Sequence, residues 1–366
     1  MRLNEIPLRP VLLYLTFLGI LFGTGQTALA QESTELRNLT VDDFFKIKRV
    51  SDPQISPEGQ WVAYTVTEVD LKEDKSETRL WIVPTSGAEA IPMTAKGYSA
   101  SRPRWSPDGK YLSFLSKRNK DKMQVWTLNR KGGEAEQLTD IPQGVSSYHW
   151  SPNGKRVLLR LKDPKPEDLE KDEKKKKKPK PWVIDRLQFK RDNIGYLDNY
   201  RTHLYVFVPG DSIPTQITSG DFDDSQPVWS PDGKLIAFVS NRTDNPDGNS
   251  NTDIWLVSAD SPDKGKTLVQ VTTSPGEDYA PAWSPDGKYL TYVTVTEPDI
   301  IWYATNHLAV ISSGGGDPRI LTAQLDRNVS SPRFARDGKS IYFLLEDSAE
   351  RHFAQISING KNLNRP

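Results

Sequence analysis

Apolar positions beyond residue 50 fall in short runs rich in β-branched and aromatic residues, separated by clusters of Ser, Pro, Asp, Asn and Gly. That pattern predicts strands and turns rather than helices. One cassette opens each unit: an apolar or aromatic lead residue, Ser-Pro-Asp-Gly-Lys, and then five or six β-formers. It stands at Trp105 to Lys110 before Tyr111-Leu112-Ser113-Phe114-Leu115, at Trp229 to Lys234 before Leu235 to Val239, and at Trp283 to Lys288 before Tyr289 to Val293. Variants stand at Ile55 to Gln60 with Glu58 for Asp, at Trp150 to Lys155 with Asn153 for Asp, and at Phe334 to Lys339 with Ala335-Arg336 for Ser-Pro. Six copies exceed what chance produces.

Each cassette reads as a hairpin turn: Pro presets φ at the first central position, Asp or Asn suits the next, and Gly takes the positive φ that other residues resist. A strand follows. Some fifteen to twenty residues on comes a second apolar run, as in Arg79 to Val83, Gln124 to Leu128, His203 to Val208, Asp253 to Val257 and His307 to Ile311. A short piece then ends near Thr139, Thr218, Thr272 or Thr322. Each unit thus holds about four strands. The lead residues lie 50, 45, 79, 54 and 51 residues apart, and four-stranded units of roughly 40–50 residues are the signature of β-propeller blades. A β-sandwich is the competing architecture, but its strands do not repeat one cassette six times. Unbroken apolar strands such as Ile236 to Val239 fit sheets covered on both faces, as blades are. The expectation is an all-β propeller over residues 51–366.

The ends and one interval depart from the repeat. Residues 1–30 read as a signal peptide: Arg2 and Arg9 lead, Val11 to Phe22 are largely apolar, and Ala28-Leu29-Ala30 offers a cleavage site before Gln31. That run is shorter than the ~20 residues of a spanning helix, so the mature protein is expected to be periplasmic or secreted, with no membrane association after cleavage. Residues 31–50 form an arm in which Thr40 and Asp43 resemble a capping box, and Phe44, Phe45 and Ile47 give a short helix something to bury. The long interval contains a charged insertion at about 163–180, with an acidic stretch from Glu167 to Glu173 and then Lys174 to Lys178. It reads as a mobile, solvated loop.

Composition removes classes rather than naming one. The chain has 366 residues, 48 Lys+Arg against 48 Asp+Glu, and no Cys. A neutral chain lacks the basic surplus of a nucleic-acid binder, and the absence of Cys excludes disulfides, a catalytic thiol and a Cys-based zinc site. No GxSxG elbow is present; the nearest string is Gly97-Tyr98-Ser99-Ala100-Ser101. His149, His203, His307 and His352 fall one per blade region, outside any ligand spacing, and read as structural. The polar loop Asn241 to Asp253 lacks the twelfth-position Glu of a calcium loop and reads as a connector, and the same discount applies to Asp221, Asp223 and Asp224. No catalytic residue, cofactor or metal is expected.

The segment Phe45 to Pro57, the six cassettes, and the stretches Val183 to Tyr205 and Trp302 to Val310 together resemble secreted bacterial members of the prolyl oligopeptidase family, in its acylaminoacyl-peptidase and dipeptidyl-peptidase branch. The resemblance implies a propeller of about seven or eight blades that gates and positions short peptides for an α/β-hydrolase domain carrying Ser, Asp and His. No position here matches that triad, nor the dipeptidyl-peptidase Glu-Glu pair, so no site residue carries over. The expectation is a substrate-gating propeller truncated before its hydrolase domain, inactive as given and not necessarily closed as a ring. The alternative is a free-standing TolB-like propeller that binds proteins, against which stands the short segment ahead of the first cassette. A propeller enzyme with metal ligands clustered in its channel is a third reading with no pattern to support it.

Overall fold

The computed structural model describes residues 37–118, 122–170, 181, 183–261 and 263–365. The expected signal peptide and the five-lysine run lie outside the described residues. The chain divides into a short N-terminal unit ending at Asp43 and a body from Phe44 onward. In the first, Asp43 accepts the Thr40 backbone N–H at 2.9 Å and is held by Arg37, as a capping residue should be. The helix α1 (Val41–Phe44) is a single turn. It is too short to present an apolar stripe, and Phe44, Phe45 and Ile47, expected to be buried, are exposed.

The body is built from six antiparallel blade sheets, five of them formed from strands consecutive in sequence and the third interrupted by a two-stranded hairpin. Blade I has β1 (Arg49–Ile55), β2 (Trp61–Asp70), β3 (Lys75–Pro84) and β4 (Ile91–Pro92). Its first strand starts two residues before the expected boundary. Blade II has β5 (Ala100–Trp105), β6 (Tyr111–Ser116), β7 (Gln124–Asn129) and β8 (Glu136–Gln137). Blade III has β9 (Ser147–Trp150) and β10 (Val157–Lys162), then β13 (Thr202–Phe207) and β14 (Thr215–Gln216) after the insertion. Blade IV has β15 (Asp224–Trp229), β16 (Leu235–Ser240), β17 (Asp253–Ser258) and β18 (Val269–Gln270). Blade V has β19 (Asp278–Trp283), β20 (Tyr289–Val295), β21 (Asn306–Ser312) and β22 (Arg319–Ile320). Blade VI has three strands, β23 (Val329–Phe334), β24 (Ser340–Asp347) and β25 (Glu350–Ser357), and the fourth is reduced to one bridge between Gln355 and Asn364.

The link from β10 to β13 takes in the expected charged insertion at about 163–180 and continues to residue 201. Its start forms the one-turn helix α2 (Pro166–Leu169), where Asp168 accepts the Lys165 N–H and pairs with Lys122 at 2.7 Å. Further on, β11 (Lys190–Arg191) and β12 (Gly195–Tyr196) make a small hairpin, and Asp198 ties back to Lys162 and Lys165.

Strand alternation explains the unbroken apolar runs. In β10, Val157, Leu159 and Leu161 pack toward blade II, against Leu115 and Val125, while Leu158 between them packs toward blade IV, against Trp229 and Ile236. Five such apolar seams join the six blades in order, from Ala63, Leu80 and Ile82 against Leu112 and Phe114 to Leu308 and Val310 against Ile341 and Phe343. Among the described residues no apolar cluster joins blade VI to blade I, and Phe353 of blade VI is 70% exposed.

The cassettes hold these seams in register. In a full cassette Ser Oγ accepts the N–H that opens the second strand and donates to the Asp, as Ser230 does with Leu235 N and Asp232. The Gly N–H closes the turn on the Ser carbonyl, with Gly233 at φ 70°. A Cβ on Gly233 would stand 3.6 Å from Pro152 of the blade before, and the same Gly-over-Pro step recurs at Gly154, Gly287 and Gly338. The lead indoles cross the seams: Trp105 Nε1 donates to Gln54 O, Trp229 Nε1 to His149 O and Trp283 Nε1 to Val228 O. Trp150 reaches Ser113 Oγ, which itself donates to Arg104 O. The recurrent Thr has a parallel role: Thr94, Thr139, Thr218, Thr272 and Thr322 each accept a third-strand N–H through Oγ1.

Trp229 is 9% exposed, spans the seam between blades III and IV and carries Arg156 over its ring. Trp229→Ala is expected to lower unfolding free energy by about 3–5 kcal/mol, whereas Trp229→Phe, which loses only the N–H donor and some area, should cost about 1 kcal/mol. Urea titration followed by far-UV dichroism measures both; a loss under half the expected value for Ala would mean that the seam does not depend on this indole.

Candidate functional site

The first strands of blades I and II, II and III, IV and V, and V and VI lie against each other, as the inner strands around a propeller's central channel do. Five of the six carry a bulge at the same place, where register slips between Ser51 and Gln54, Ser101 and Arg104, Ser225 and Val228, Tyr279 and Ala282, and Ser330 and Arg333. At each slip a residue with φ between 47° and 55° precedes a proline: Asp52, Arg102, Gln226, Ala280 and Ser331. Pro cannot donate to the ladder, and a bulge re-aims the side chains around it. Blade III has no such proline, and β9 pairs in register through His149.

The bulges bring the blades into contact at the lumen. Arg104 Nη1 reaches both carboxylate oxygens of Asp52, at 3.0 and 3.1 Å, Tyr148 Oη donates to Arg102 O, and Ala280 N donates to Gln226 Oε1. Arg104 and Arg333 hold the position just before the lead residue in blades II and VI, which His149 holds in blade III. The His149 imidazole is pushed down to about 3, first by burial and then by Arg104, Arg102, Arg333 and Arg160. Arg333 presents substantial surface to solvent, yet crowding and Arg104 lower its pKa, as expected in a concave throat. Arg160 is lowered by burial and by Arg102.

At the opposite end of the strands from the cassettes, three blades fill one ionic slot differently. In blade IV, Asp224 opens β15 and pairs at 2.8 Å with Arg242, whose guanidinium lies over Phe222, Phe238 and Trp255. In blade II the same arginine exists as Arg118, over Tyr98, Phe114 and Trp126, but Ala100 stands where the acid would be. In blade V the acid exists as Asp278, but Thr296 stands where the arginine would be. Asp278 is fully buried and neither carboxylate oxygen meets a donor in hydrogen-bond geometry. Burial raises its pKa, tempered by the hydroxyls of Thr294, Thr272 and Ser274. Asp253 beside it is pushed up to about 6 by burial, with Asp278 adding to the shift and Thr272 and Gln270 opposing it.

The residues singled out from sequence are mostly structural. His203 is buried between Asp163 and Asp224, at 3.6 and 3.4 Å, His307 is buried within β21, and His352 sits beside Glu350. Only His149 lies at the channel. Ser99 Oγ accepts the Thr78 N–H as a strand-to-strand tie. In the polar loop Asp247 is occupied by Arg186 and Asn249 binds back to Thr243 and Asn245. Asp221 and Asp223 pair with Arg201. Among the described residues no group of three or more His, Cys, Asp or Glu is placed to hold a metal, and no helix is long and apolar enough to cross a membrane. The channel arginines went unnoticed in the sequence, although a signal existed: Pro53, Pro103, Pro227, Pro281 and Pro332 each stand two residues before a lead.

Architecture and channel define a six-bladed β-propeller built from Ser-Pro-Asp-Gly repeats, and residues 196–365 match the family profile described as "TolB beta propeller domain". Its homologues include peptidases. The chain is 34% identical over 220 residues to the uncharacterized peptidase YuxL of Bacillus subtilis, covering 60% of this chain and 34% of that protein. It is 29% identical over 342 residues to dipeptidyl-peptidase 5 of Porphyromonas gingivalis, covering 88% of this chain and 48% of that protein. A solved acylaminoacyl peptidase in complex with Z-Gly-Gly-Phe-chloromethyl ketone superimposes with a TM-score of 0.65 at 19% identity, over 88% of this chain and 46% of that one. The chain therefore spans about half the length, or less, of the relatives it matches, within their propeller portions.

The acid pair between blades IV and V makes stability depend on pH in a defined direction. A carboxyl raised in the folded state binds its proton there before it does in the unfolded chain, so its stabilisation is complete below about pH 4 and is lost as pH rises through about 6. His149, held neutral, acts oppositely over part of the same range, so the informative quantity is the difference between a variant and its parent. Asp278→Asn is expected to be more stable than the parent by about 1–3 kcal/mol at pH 8, with the gain vanishing by about pH 4. Thermal melts across that range check it; a gain independent of pH would separate the effect from ionisation.

Proposed function

We propose that this chain is the substrate-gating and scaffolding propeller of a prolyl oligopeptidase-type serine peptidase acting on short peptides, working in the periplasm or outside the cell. The observation that carries the reading is the alignment with dipeptidyl-peptidase 5 along 88% of this chain, falling within about half of that protein. The physical role follows from the channel. A lumen narrowed by side chains of six inner strands admits an extended chain and rejects a folded domain, because a folded substrate would first have to lose its own packing. The reading assigns no bond-making role to this chain: the nucleophile, base and acid of such an enzyme belong to an α/β-hydrolase domain, and the chain contains no GxSxG string.

A second reading, a protein-binding propeller of the TolB type, draws on the family profile over residues 196–365. The two diverge in what they bind. The gating reading expects the purified chain to bind a short unstructured peptide and not the same sequence held within a folded host, as measured by calorimetry. It also expects no turnover of dipeptidyl or acyl-aminoacyl chromogenic substrates that a serine-directed inhibitor abolishes. Inhibitor-sensitive turnover would place an active site in this chain, and binding to the folded host alone would favour the protein-binding module.

A further inference from the structure

The channel concentrates positive charge that the rest of the molecule does not explain. The chain as a whole is neutral, with 48 basic and 48 acidic side chains, yet Arg102, Arg104, Arg160 and Arg333 from three blades act together on one imidazole. Among the described residues only Arg104 of these four has a carboxylate partner, Asp52. Arg102 and Arg333 form no ion pair among the described residues, and Arg160 Nε is buried without a partner. Arg104 and Arg333 are set alike: each donates Nη1 to the carbonyl of the preceding proline, at 2.6 and 2.8 Å, from a strand bulged at that proline. That bond anchors part of each guanidinium and leaves its remaining N–H groups for a ligand.

We propose that the lumen is a carboxylate-binding site, in which Arg102 and Arg333 take a carboxylate of a peptide in the channel and Arg104 and Arg160 supply the surrounding field. The inference deepens the gating reading and rests on peptides entering the channel. The ligand class follows from guanidinium geometry: a planar fork of N–H donors matches a carboxylate through charge-assisted bonds. The channel contains its own example, since the Asp52 carboxylate sits on Arg104 Nη1 through both oxygens. Arg102 and Arg333 offer the same chemistry, unoccupied by any acid among the described residues.

A peptide can bring a carboxylate at its C-terminus or on an acidic side chain, and three acetylated tripeptides separate these: all-Ala with a C-terminal amide, all-Ala with a free C-terminus, and an amide with Glu at the centre. Calorimetric titration of the full chain is expected to show at least one acidic peptide binding about tenfold or more tightly than the neutral amide at low salt, with the advantage shrinking as ionic strength rises. Preference for the free C-terminus identifies the terminal carboxylate as the ligand; preference for the Glu peptide identifies side chains. Arg333→Gln and Arg102→Gln should each remove most of the preference, and Arg333→Lys should keep part of it, with far-UV dichroism unchanged in all three. Equal binding of the three peptides, or a preference that survives the double Gln variant, overturns the carboxylate site and leaves the gating reading standing. Binding of none overturns both. Inorganic phosphate binding more tightly than either acidic peptide would overturn it in favour of a phosphate site.

Discussion

Every blade has two apolar faces, and this is the constraint on which the rest of the molecule depends. A four-stranded sheet with Leu158 on one face and Val157, Leu159 and Leu161 on the other cannot be stable alone in water. It must lie between two neighbours, and the neighbours must stand at one fixed distance and register. The lead indole sets both. Once buried, its N–H needs an acceptor, and the acceptor supplied is the backbone carbonyl just ahead of the previous blade's lead residue, as in Trp229 to His149 and Trp283 to Val228. The Gly-over-Pro step of adjacent cassettes fixes the same spacing at the strand ends. The repeat is therefore a device for joining one blade to the next rather than for stabilising a hairpin in isolation. The outer faces of the first and last blades, with Ile55 and Phe353 exposed, show what a blade looks like without that cover.

This explains why so much of the fold could be read from the sequence. Ser-Pro-Asp-Gly and the recurrent Thr are local devices, each meeting a backbone need within about twenty residues, so they leave a pattern in sequence that does not depend on knowing the partner blade. The arm was not legible: Phe44, Phe45 and Ile47 look like a helix face, but one helical turn has no face to bury. The blade III insertion was half legible, because its charge run advertises solvent while the anchors Asp168 and Asp198 find their lysines only through folding.

The ionic slot shows where repeats are free to drift. Blade IV keeps both members, Asp224 and Arg242; blade II keeps the arginine and surrounds it with three aromatic rings; blade V keeps the acid and raises its pKa instead. A buried pair is close to neutral for stability when complete, and costly when half is removed. Each half-slot has a local remedy: ring faces that attract the Arg118 cation, and a raised pKa that makes the Asp278 carboxyl easier to protonate. No single-repeat reading reveals this, because the deficit is visible only when equivalent positions of several blades are set side by side.

The channel follows neither logic. A non-glycine residue at positive φ is strained, by roughly 1–3 kcal/mol, and the same strain recurs in five inner strands, so it is a requirement of the lumen and not an accident of one turn. What it accomplishes is placement: the bulge turns the next residues into the channel, and at two of those places stands an arginine. Guanidinium groups gathered around a single internal carboxylate repel, and the lowered pKa values of Arg333 and Arg160 record first the loss of water and then the repulsion of Arg104 and Arg102. Seam packing does not call for this, since the seams close equally well with Val228 or Ala282 at the same position in blades IV and V. A fold arranged for stability alone would fill those positions with such residues, and the arginines make sense as charges awaiting an anion from outside the chain.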